Sequence, residues 1–488
     1  MALSRSSSSP APAFGFSSLP EAVARVPRAL AFRHDVLPLN VVDGTLVIAV
    51  PDPDDAEVLD TLRAATRMRI RPLPMARDAI RENLRAAYGE AQPREVERNR
   101  SADAPAVRSV DLVFARAIAG HASDIHIEPM AGGGGRVRYR VDGVLRELEA
   151  IPAELFPAFS SRLKLLAGLD IADRRQPQDG RCGIPFEQRE IDARVSSVPT
   201  IDGEKLVVRL LDRYAAAPDL ATLGMPAAIL ERYRSIVAAP WGFVVVSGPT
   251  GSGKTTTLYA SLAQLDAVSR NVASVEDPIE MRLSNISQVQ VNARSGLTFP
   301  VVLRSFMRQD TNAVMVGEMR DAETAAVAVS AALAGQIVFT TLHANDAPRT
   351  IDRLTELGVA RHSLAAALTA VVAQRLVRTL CEQCRVVASI PLGVREALGT
   401  QQDHWYLAGG CRTCAGSGYI GRVGVYELMD VDDAVRDAIA SGASSVTVAQ
   451  LASRNAYRSM AEDAVEKLLR GVTTFDEIAR VVAWPARR

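Results

Sequence analysis

The chain has 488 residues, with 56 basic and 56 acidic side chains and 48% hydrophobic residues. That length suggests about three domains, and the composition excludes a wholly disordered chain, a collagen and a small disulfide scaffold. Neutrality is local as well as global. Residues 1–104 carry 14 basic and 14 acidic side chains, residues 105–219 carry 16 and 17, and the remainder carries 26 and 25. No segment therefore has the basic footprint of a nucleic-acid binder. Only four of the basic residues are lysines: Lys164, Lys205, Lys254 and Lys467.

In chain order, residues 1–17 are Ser/Pro-rich without the apolar core of a secretory signal and read as a disordered tail. Residues 18–90 read as a small α/β unit. Leu46–Val50 is a short β run, the Pro51–Asp55 turn leads to a helix near Ala56–Thr66, and a second helix runs from Arg77 to Tyr88. Residues 91–104 are charged and poor in apolar groups, which marks a linker. Residues 105–217 alternate as strands at Asp124–Glu128, Arg136–Val141, Glu190–Val195 and Lys205–Leu211 after a helix at Val107–Gly120. Gly132–Gly135 reads as a hairpin loop. This is the pattern of a sheet with helices on one face. From residue 218 to 488 buried strands alternate with helices, which predicts a parallel α/β sheet. No stretch approaches the ~18 consecutive apolar residues of a membrane-spanning helix.

The third unit holds the sharpest signal. The strand Trp241–Val246 runs into Gly248-Pro249-Thr250-Gly251-Ser252-Gly253-Lys254-Thr255 and then Thr256, at the start of a helix through Leu265. This is G-x-x-x-x-G-K-T in its strand–loop–helix setting. Its glycines let backbone N–H groups wrap a phosphate, and the helix N-terminus adds partial positive charge. Lys254 reaches the β- and γ-phosphates, and the Thr255 hydroxyl ligates Mg²⁺. Hydrolysis also needs a carboxylate near the water. Glu318, after the strand at Ala313–Gly317, suits that role, with Asp310 as a supporting group. Glu280 closes an acidic cluster after the strand Val272–Val275, where open α/β sheets bind ligands. His343 ends the strand Ile337–Leu342, within reach of a γ-phosphate.

Cys381-x-x-Cys384 and Cys411-x-x-Cys414 form two knuckles whose four thiolates fill a closed tetrahedral sphere. That spacing predicts a structural Zn²⁺ site. The fifth cysteine, Cys182, reads as a buried or incidental residue.

Together these motifs resemble the secretion and pilus-assembly ATPases of the GspE/PulE/PilB kind over roughly residues 18–480. GPTGSGKTTTLY (248–259), SVEDPIE (274–280), RQD…VMVGEMRD (308–321) and GQIVFTTLHANDA (335–347) are similar to the Walker A, Asp, Walker B and His boxes of that family. ASDIHIEP (122–129) and RYRVDGVL (138–145) resemble its preceding domain. The resemblance implies a RecA-like P-loop NTPase domain, residues 218–488, carrying a small zinc element at 381–414. Before it would come a PAS-like domain, residues 105–217, and a partner-docking domain, residues 18–90.

It further implies a cytoplasmic homo-hexamer, peripheral to the inner membrane, that spends ATP on pseudopilus assembly. Its partners would be a GspL-type inner-membrane protein and a GspF-type platform protein. It gives His343 a functional role and brings Arg194 and Arg209 toward the nucleotide phosphates, with Arg304 and Arg308 a weaker pair of the same kind. Residues 19–55 resemble the first domain of type II secretion ATPases, and no extra segment shows the repeated Leu pattern of cyclic-di-GMP-binding relatives. Type II secretion is therefore the expectation, with type IV pilus assembly next. A non-hydrolysing scaffold and a hexameric nucleic-acid motor are less favoured. Three positions depart from the family pattern: Gln336 replaces a second His-box histidine, Thr311-Asn312 follows Asp310, and Asp463 precedes Ala464.

Overall fold

The computed structural model describes residues 20–482 except 24, 27, 67, 89–92, 187–188, 212–217 and 456, so the tail read at 1–17 lies outside the described residues. The chain divides into two compact units, residues 1–105 and 106–488.

In the first unit, Asp43 and Gly44 take φ of 48° and 72°. A two-residue type I′ hairpin requires that geometry, and it reverses the chain between Leu37–Val42 and Thr45–Val50. Arg69–Pro74 then adds parallel to the second strand at the sheet edge. Its prolines are tolerated there because an edge strand leaves one side unpaired. The helices Ala56–Thr66 and Arg77–Tyr88 fall at the expected positions. Leu62, Ile80 and Leu84 share a core with Leu46 and Ile48. The helix Pro93–Ala119 begins inside the segment read as a linker. Its low apolar content suggested irregular chain, but Glu and Arg are good helix formers whatever their burial.

The second unit opens with a six-stranded antiparallel sheet. Its strand order is Val144–Ile151, Gly135–Val141, Asp124–Pro129, Gly203–Leu211, Arg189–Thr200, Gln178–Phe186. Val113, Phe114 and Ala117, with Phe159 and Leu163 of the helix Phe156–Leu166, pack on Ile125, Val137, Tyr139, Val195 and Val208. Successive residues of a strand face opposite sides, so Asp124, Arg138, Arg140, Arg194 and Arg209 share the other face. The glycine run is a hairpin loop, as read: Met130 N–H donates to the Gly134 carbonyl at 2.8 Å.

The second sheet of this unit has seven strands in the order Ser287–Gln290, Val272–Glu276, Ala313–Val316, Ile337–Leu342, Gly242–Ser247, Leu368–Leu380, Tyr419–Asp430. Six strands are parallel, as the alternation predicted. The last pairs antiparallel with its neighbour, so the sheet is mixed. An antiparallel edge strand is common on such sheets, and its alternation is hard to distinguish in sequence from that of a parallel strand. The parallel register aligns Ser247 with Leu342 and Val275 with Val316. The P-loop, Glu318, His343 and the acidic turn thus leave one edge of the sheet together.

Three lysines are structural. Lys164 is 1% exposed and pairs with Glu204 at 2.6 Å. Lys205 pairs with Glu128 at 3.0 Å. Lys467 pairs with Asp463, whose carboxylate also accepts the Tyr426 N–H at 2.7 Å.

Candidate functional site

The P-loop conformation explains its glycines. Gly248, Gly251 and Gly253 have φ of 152°, 76° and 85°, a region that side chains disfavour. A Cβ on Gly248 would also stand 2.5 Å from Ser252 Oγ and 2.6 Å from the Gln374 carbonyl oxygen. The helix Lys254–Gln264 starts from Gly253 without a side-chain cap, whereas Asp321 and Asp346 cap the helices that follow the strands Ala313–Val316 and Ile337–Leu342. Its first N–H groups are therefore left to an anionic ligand. Gln374 fixes the loop from the neighbouring strand: its Nε2 donates to the Ser252 carbonyl at 2.7 Å, and its Oε1 accepts from Thr257 Oγ1 at 2.8 Å.

Lys254 Nζ donates to the carbonyls of Gly248 and Pro249, both at 2.9 Å. Burial pushes its pKa down to about 8, opposed by the charges of Glu318 and Glu280. His343 lies against the same loop. Burial and the Lys254 charge lower its pKa, while Glu318 and a hydrogen bond with the Gly248 backbone oppose that shift. Glu318 is ion-paired with Arg320. Its backbone is steadied by Thr341 of the His-box strand, whose Oγ1 donates to the Gly317 carbonyl at 2.7 Å. Lys254, Glu318 and His343 thus form one coupled group around the P-loop.

Glu280 belongs to it as well. Glu280 as a whole is exposed, but the surrounding chain desolvates its carboxyl and raises its pKa; the Glu276 charge adds to this, and Arg209, Arg194 and Lys254 oppose it. The two arginines are register partners on adjacent strands. They line a cavity of about 490 Å³ with Asp124, Asp179 and Arg181, and Arg209 Nε is 3.0 Å from Asp124 Oδ1. Arg304 and Arg308 are not brought to this group. Arg304 pairs with Glu323 at 2.8 Å, and Arg308 donates to the Arg304 carbonyl. Asp310 is not brought to the group either. It precedes Ala313, which is in register with Ile337 at the amino edge, so it lies at the opposite end of the strand from the P-loop. Thr255 and Thr256 open the P-loop helix, Thr256 on its exposed side.

Sequence reasoning missed the buried support of the acidic turn. Glu276 is 2% exposed. Its Oε1 accepts from Ser274 Oγ at 2.5 Å and Gln288 Nε2 at 3.1 Å, and its Oε2 accepts from Tyr259. A carboxylate inside the acidic box was visible, but partners 12 and 17 positions away carry no sequence signal.

The four cysteines meet as their spacing predicted. Their sulfurs all lie within 4.8 Å of one another, and three pairs are 3.7–3.9 Å apart. Zn–S bonds of about 2.3 Å in a tetrahedron place sulfurs roughly 3.8 Å apart. Gly410 N–H donates to Cys384 Sγ at 3.2 Å, and the N–H groups of Cys411 and Gly418 each approach Cys414 Sγ at 3.1 Å. For Cys414 burial raises the pKa, but those two backbone donors and the neighbouring thiols hold it at about 6, favouring thiolate. Donor type, number and spacing fit a metal ion. Cys182 is a half-buried strand residue whose thiol pKa burial raises.

Among the described residues, no helix is long and apolar enough to cross a membrane. The family model described as "Type II/IV secretion system protein" matches residues 99–480, and a MshEN domain model matches residues 13–94. The chain is 39% identical over 494 residues to the type IV pilus assembly ATPase PilB of Myxococcus xanthus, covering 95% of this chain and 87% of that one. It is 46% identical over 378 residues to the type II secretion system protein HxcR of Pseudomonas aeruginosa, covering 78% and 77%. To type II secretion system protein E of Xanthomonas campestris it is 38% identical over 486 residues, covering 95% and 85%. The fold is similar to the Legionella pneumophila ATPase DotB (TM-score 0.55, 22% identity, 76% and 94% covered) and the pilus retraction motor PilT (0.53, 23%, 77% and 97%).

Proposed function

The chain belongs to the type II/IV secretion system protein family, and from that premise we propose that it is the ATP-hydrolysing motor of a type II secretion system. It works as a cytoplasmic homo-hexamer peripheral to the inner membrane and powers pseudopilus assembly. Residues 18–90 dock on a GspL-type protein, and a GspF-type platform receives the work. The observation that carries the reading is the convergence, at one edge of the sheet, of an uncapped P-loop holding Lys254 with the strand ends that lead to Glu318, His343 and the acidic turn of Glu280.

ATP phosphates draw Lys254 off the carbonyls of Gly248 and Pro249, and the free helix N–H groups hold the phosphate oxygens. Glu318 orients a water and takes its proton. The water oxygen bonds to the γ-phosphorus as the bond to the bridging oxygen breaks, leaving ADP with the charge that Lys254 stabilises. His343 steadies the γ-phosphate. Arg194 and Arg209 offer planar, bidentate donors to it and draw the two sheets' faces together. The Thr255 hydroxyl and the Glu280 carboxylate are the hard oxygen donors that would hold Mg²⁺, which would supply positive charge against the phosphates. Cys381, Cys384, Cys411 and Cys414 would hold a structural Zn²⁺, which would tie the two knuckles together. Metal analysis of purified protein should return about one zinc per chain, and a chain that folds fully without metal would remove this assignment.

Glu318→Gln tests the motor. Nucleotide binding should persist while phosphate release falls by about 10²–10³; unchanged release would defeat the assigned role. The second reading is type IV pilus assembly: a PilB relative and a type II secretion system protein E relative each match 95% of the chain, at 39% and 38% identity. Capture of the full-length chain by cytoplasmic domains of secretion or of pilus inner-membrane proteins separates the two.

A further inference from the structure

We propose that Tyr259 is a positioning residue that ties the P-loop helix to the segment carrying Glu280, so that phosphate binding and carboxylate placement move as one. The proposal rests on the magnesium-holding role proposed for Glu280 above.

Tyr259 lies four residues after Thr255 on the helix Lys254–Gln264. Residues i and i+4 share a helix face, so one face carries the magnesium ligand at one turn and this phenol at the next. The ring is 1% exposed. Its hydroxyl accepts the backbone N–H of Glu280 at 3.0 Å and of Met281 at 3.3 Å. Its own proton goes to Glu276 Oε2. All three bonds of the oxygen are thus used, and two end on the loop that aims Glu280.

Among the described residues that loop has few other holds, one being the Leu283 N–H on Gln288 Oε1 at 2.8 Å. The Ile279 N–H donates to Gln290 Oε1 at 3.3 Å, and Gln288 Nε2 donates to the Met281 carbonyl at 3.0 Å. Gln288 also reaches Glu276, so the carboxylate is the hub on which both the phenol and the amide are set. A buried carboxylate with three donors is costly to disturb. It gives Tyr259 a fixed hydroxyl direction, in which both lone pairs face the loop. Ser274 Oγ bonds the same carboxylate at 2.5 Å and supplies no bond to the loop. It is therefore the natural control.

The test is steady-state and single-turnover ATP hydrolysis by the assembled full-length protein, with nucleotide affinity and thermal melting measured alongside. Tyr259→Phe keeps the ring and removes the hydroxyl. It should lower kcat by roughly ten- to a hundredfold, as expected for a misplaced active-site carboxylate, while KM and nucleotide affinity stay within about twofold. Ser274→Ala removes a bond to the same carboxylate and should lower the melting temperature comparably while keeping the wild-type kcat. Wild-type turnover in Tyr259→Phe would overturn the proposal. So would a parallel kcat loss in Ser274→Ala, because support of Glu276 alone would then explain both. Glu280→Gln tests the underlying reading separately: full turnover in that variant defeats the role of Glu280, whatever Tyr259→Phe does.

Discussion

The two edges of the motor sheet are built from the same strands, yet their polar residues behave in opposite ways. At the amino edge the side chains pair with one another or with nearby backbone. Gln336 Nε2 donates to the Thr311 hydroxyl at 2.6 Å and to its carbonyl at 3.0 Å. Asn312 Oδ1 accepts the Asn271 N–H at 2.7 Å, and Asn271 Nδ2 returns to the Gln309 carbonyl at 2.8 Å. At the carboxyl edge, charged groups converge and remain open to a ligand. Lys254 rests on two carbonyls, the helix after it has no side-chain cap, and Glu318 and Glu280 both act on the lysine. A polar cluster that closes on itself holds strands together, whereas one that converges without closing is ready for an anion. Two of the three family departures, Thr311 and Gln336, meet each other at the closed edge, so they are one local exchange remote from the chemistry.

The largest expected effect comes from emptying the open edge. Lys254→Ala removes the cation aimed at the phosphates and should weaken ATP binding by at least about a hundredfold. Folding should be retained, because among the described residues the lysine's hydrogen bonds go only to carbonyls of its own loop. Equilibrium binding of a fluorescent nucleotide measures this, and near-wild-type affinity would remove the open edge as a phosphate site. Arg209→Ala comes next. Its side chain is 62% exposed, so stability should barely change, while kcat should fall by roughly tenfold through loss of charge on the phosphates. Unchanged turnover would take the arginine out of the scheme.

A smaller effect follows from the lysine's own titration. Its folded pKa is depressed from 10.5 to about 8 by burial. Between pH 8 and 10.5 the folded chain therefore holds fewer protons than the unfolded chain, and stability from this group rises with pH. Below pH 8 the buried charge is retained at a cost to folding. ATP restores the proton, since phosphate favours the charged form. Binding at pH 9 should take up close to one proton and binding at pH 6.5 none, with affinity falling as pH rises above 8. Calorimetry in buffers of different ionisation enthalpy reads this directly, and equal proton uptake at both values would mean the lysine is not the titrating group.

The open edge was legible because its chemistry is local. A glycine loop, a lysine and a strand-end carboxylate each sit in a short segment with its own periodicity. The cysteine element was legible for the same reason, as two knuckles of fixed spacing. What escaped was assembled from distant parts. Tyr259, Glu276 and Gln288 each look ordinary in sequence, and only the packing of the helix on the acidic turn joins them. The antiparallel run of Tyr419–Asp430 escaped because strand direction leaves no trace in alternation. The tasks of Lys164 and Lys467 depended on partners found by folding: Glu204, 40 residues away, and an Asp463 that also holds the Tyr426 backbone. Asp310 was misplaced for a simpler reason. Proximity in sequence to Glu318 suggested proximity to the phosphates, but the strand between them spans the sheet from edge to edge.

The smallest effect belongs to the closed edge and is the most specific. Gln336 is 9% exposed, and its Oε1 is buried with no hydrogen-bond partner among the described residues. Its amide therefore acts only as a donor, and Thr311, which donates onward to the Phe306 carbonyl at 2.9 Å, is its acceptor. Gln336→Leu and Thr311→Val should each lower stability modestly. In the double variant the losses should fall short of additive by about 0.5–1.5 kcal/mol, the usual net value of a buried hydrogen bond. Turnover in all three should stay within about twofold of wild type, because no group at this edge faces the nucleotide. Denaturant melts give the coupling and hydrolysis assays give the turnover. Additive stability losses would deny that the two departures form one exchange, and a large loss of turnover in Gln336→Leu would mean that the amino edge is not insulated from the carboxyl edge after all.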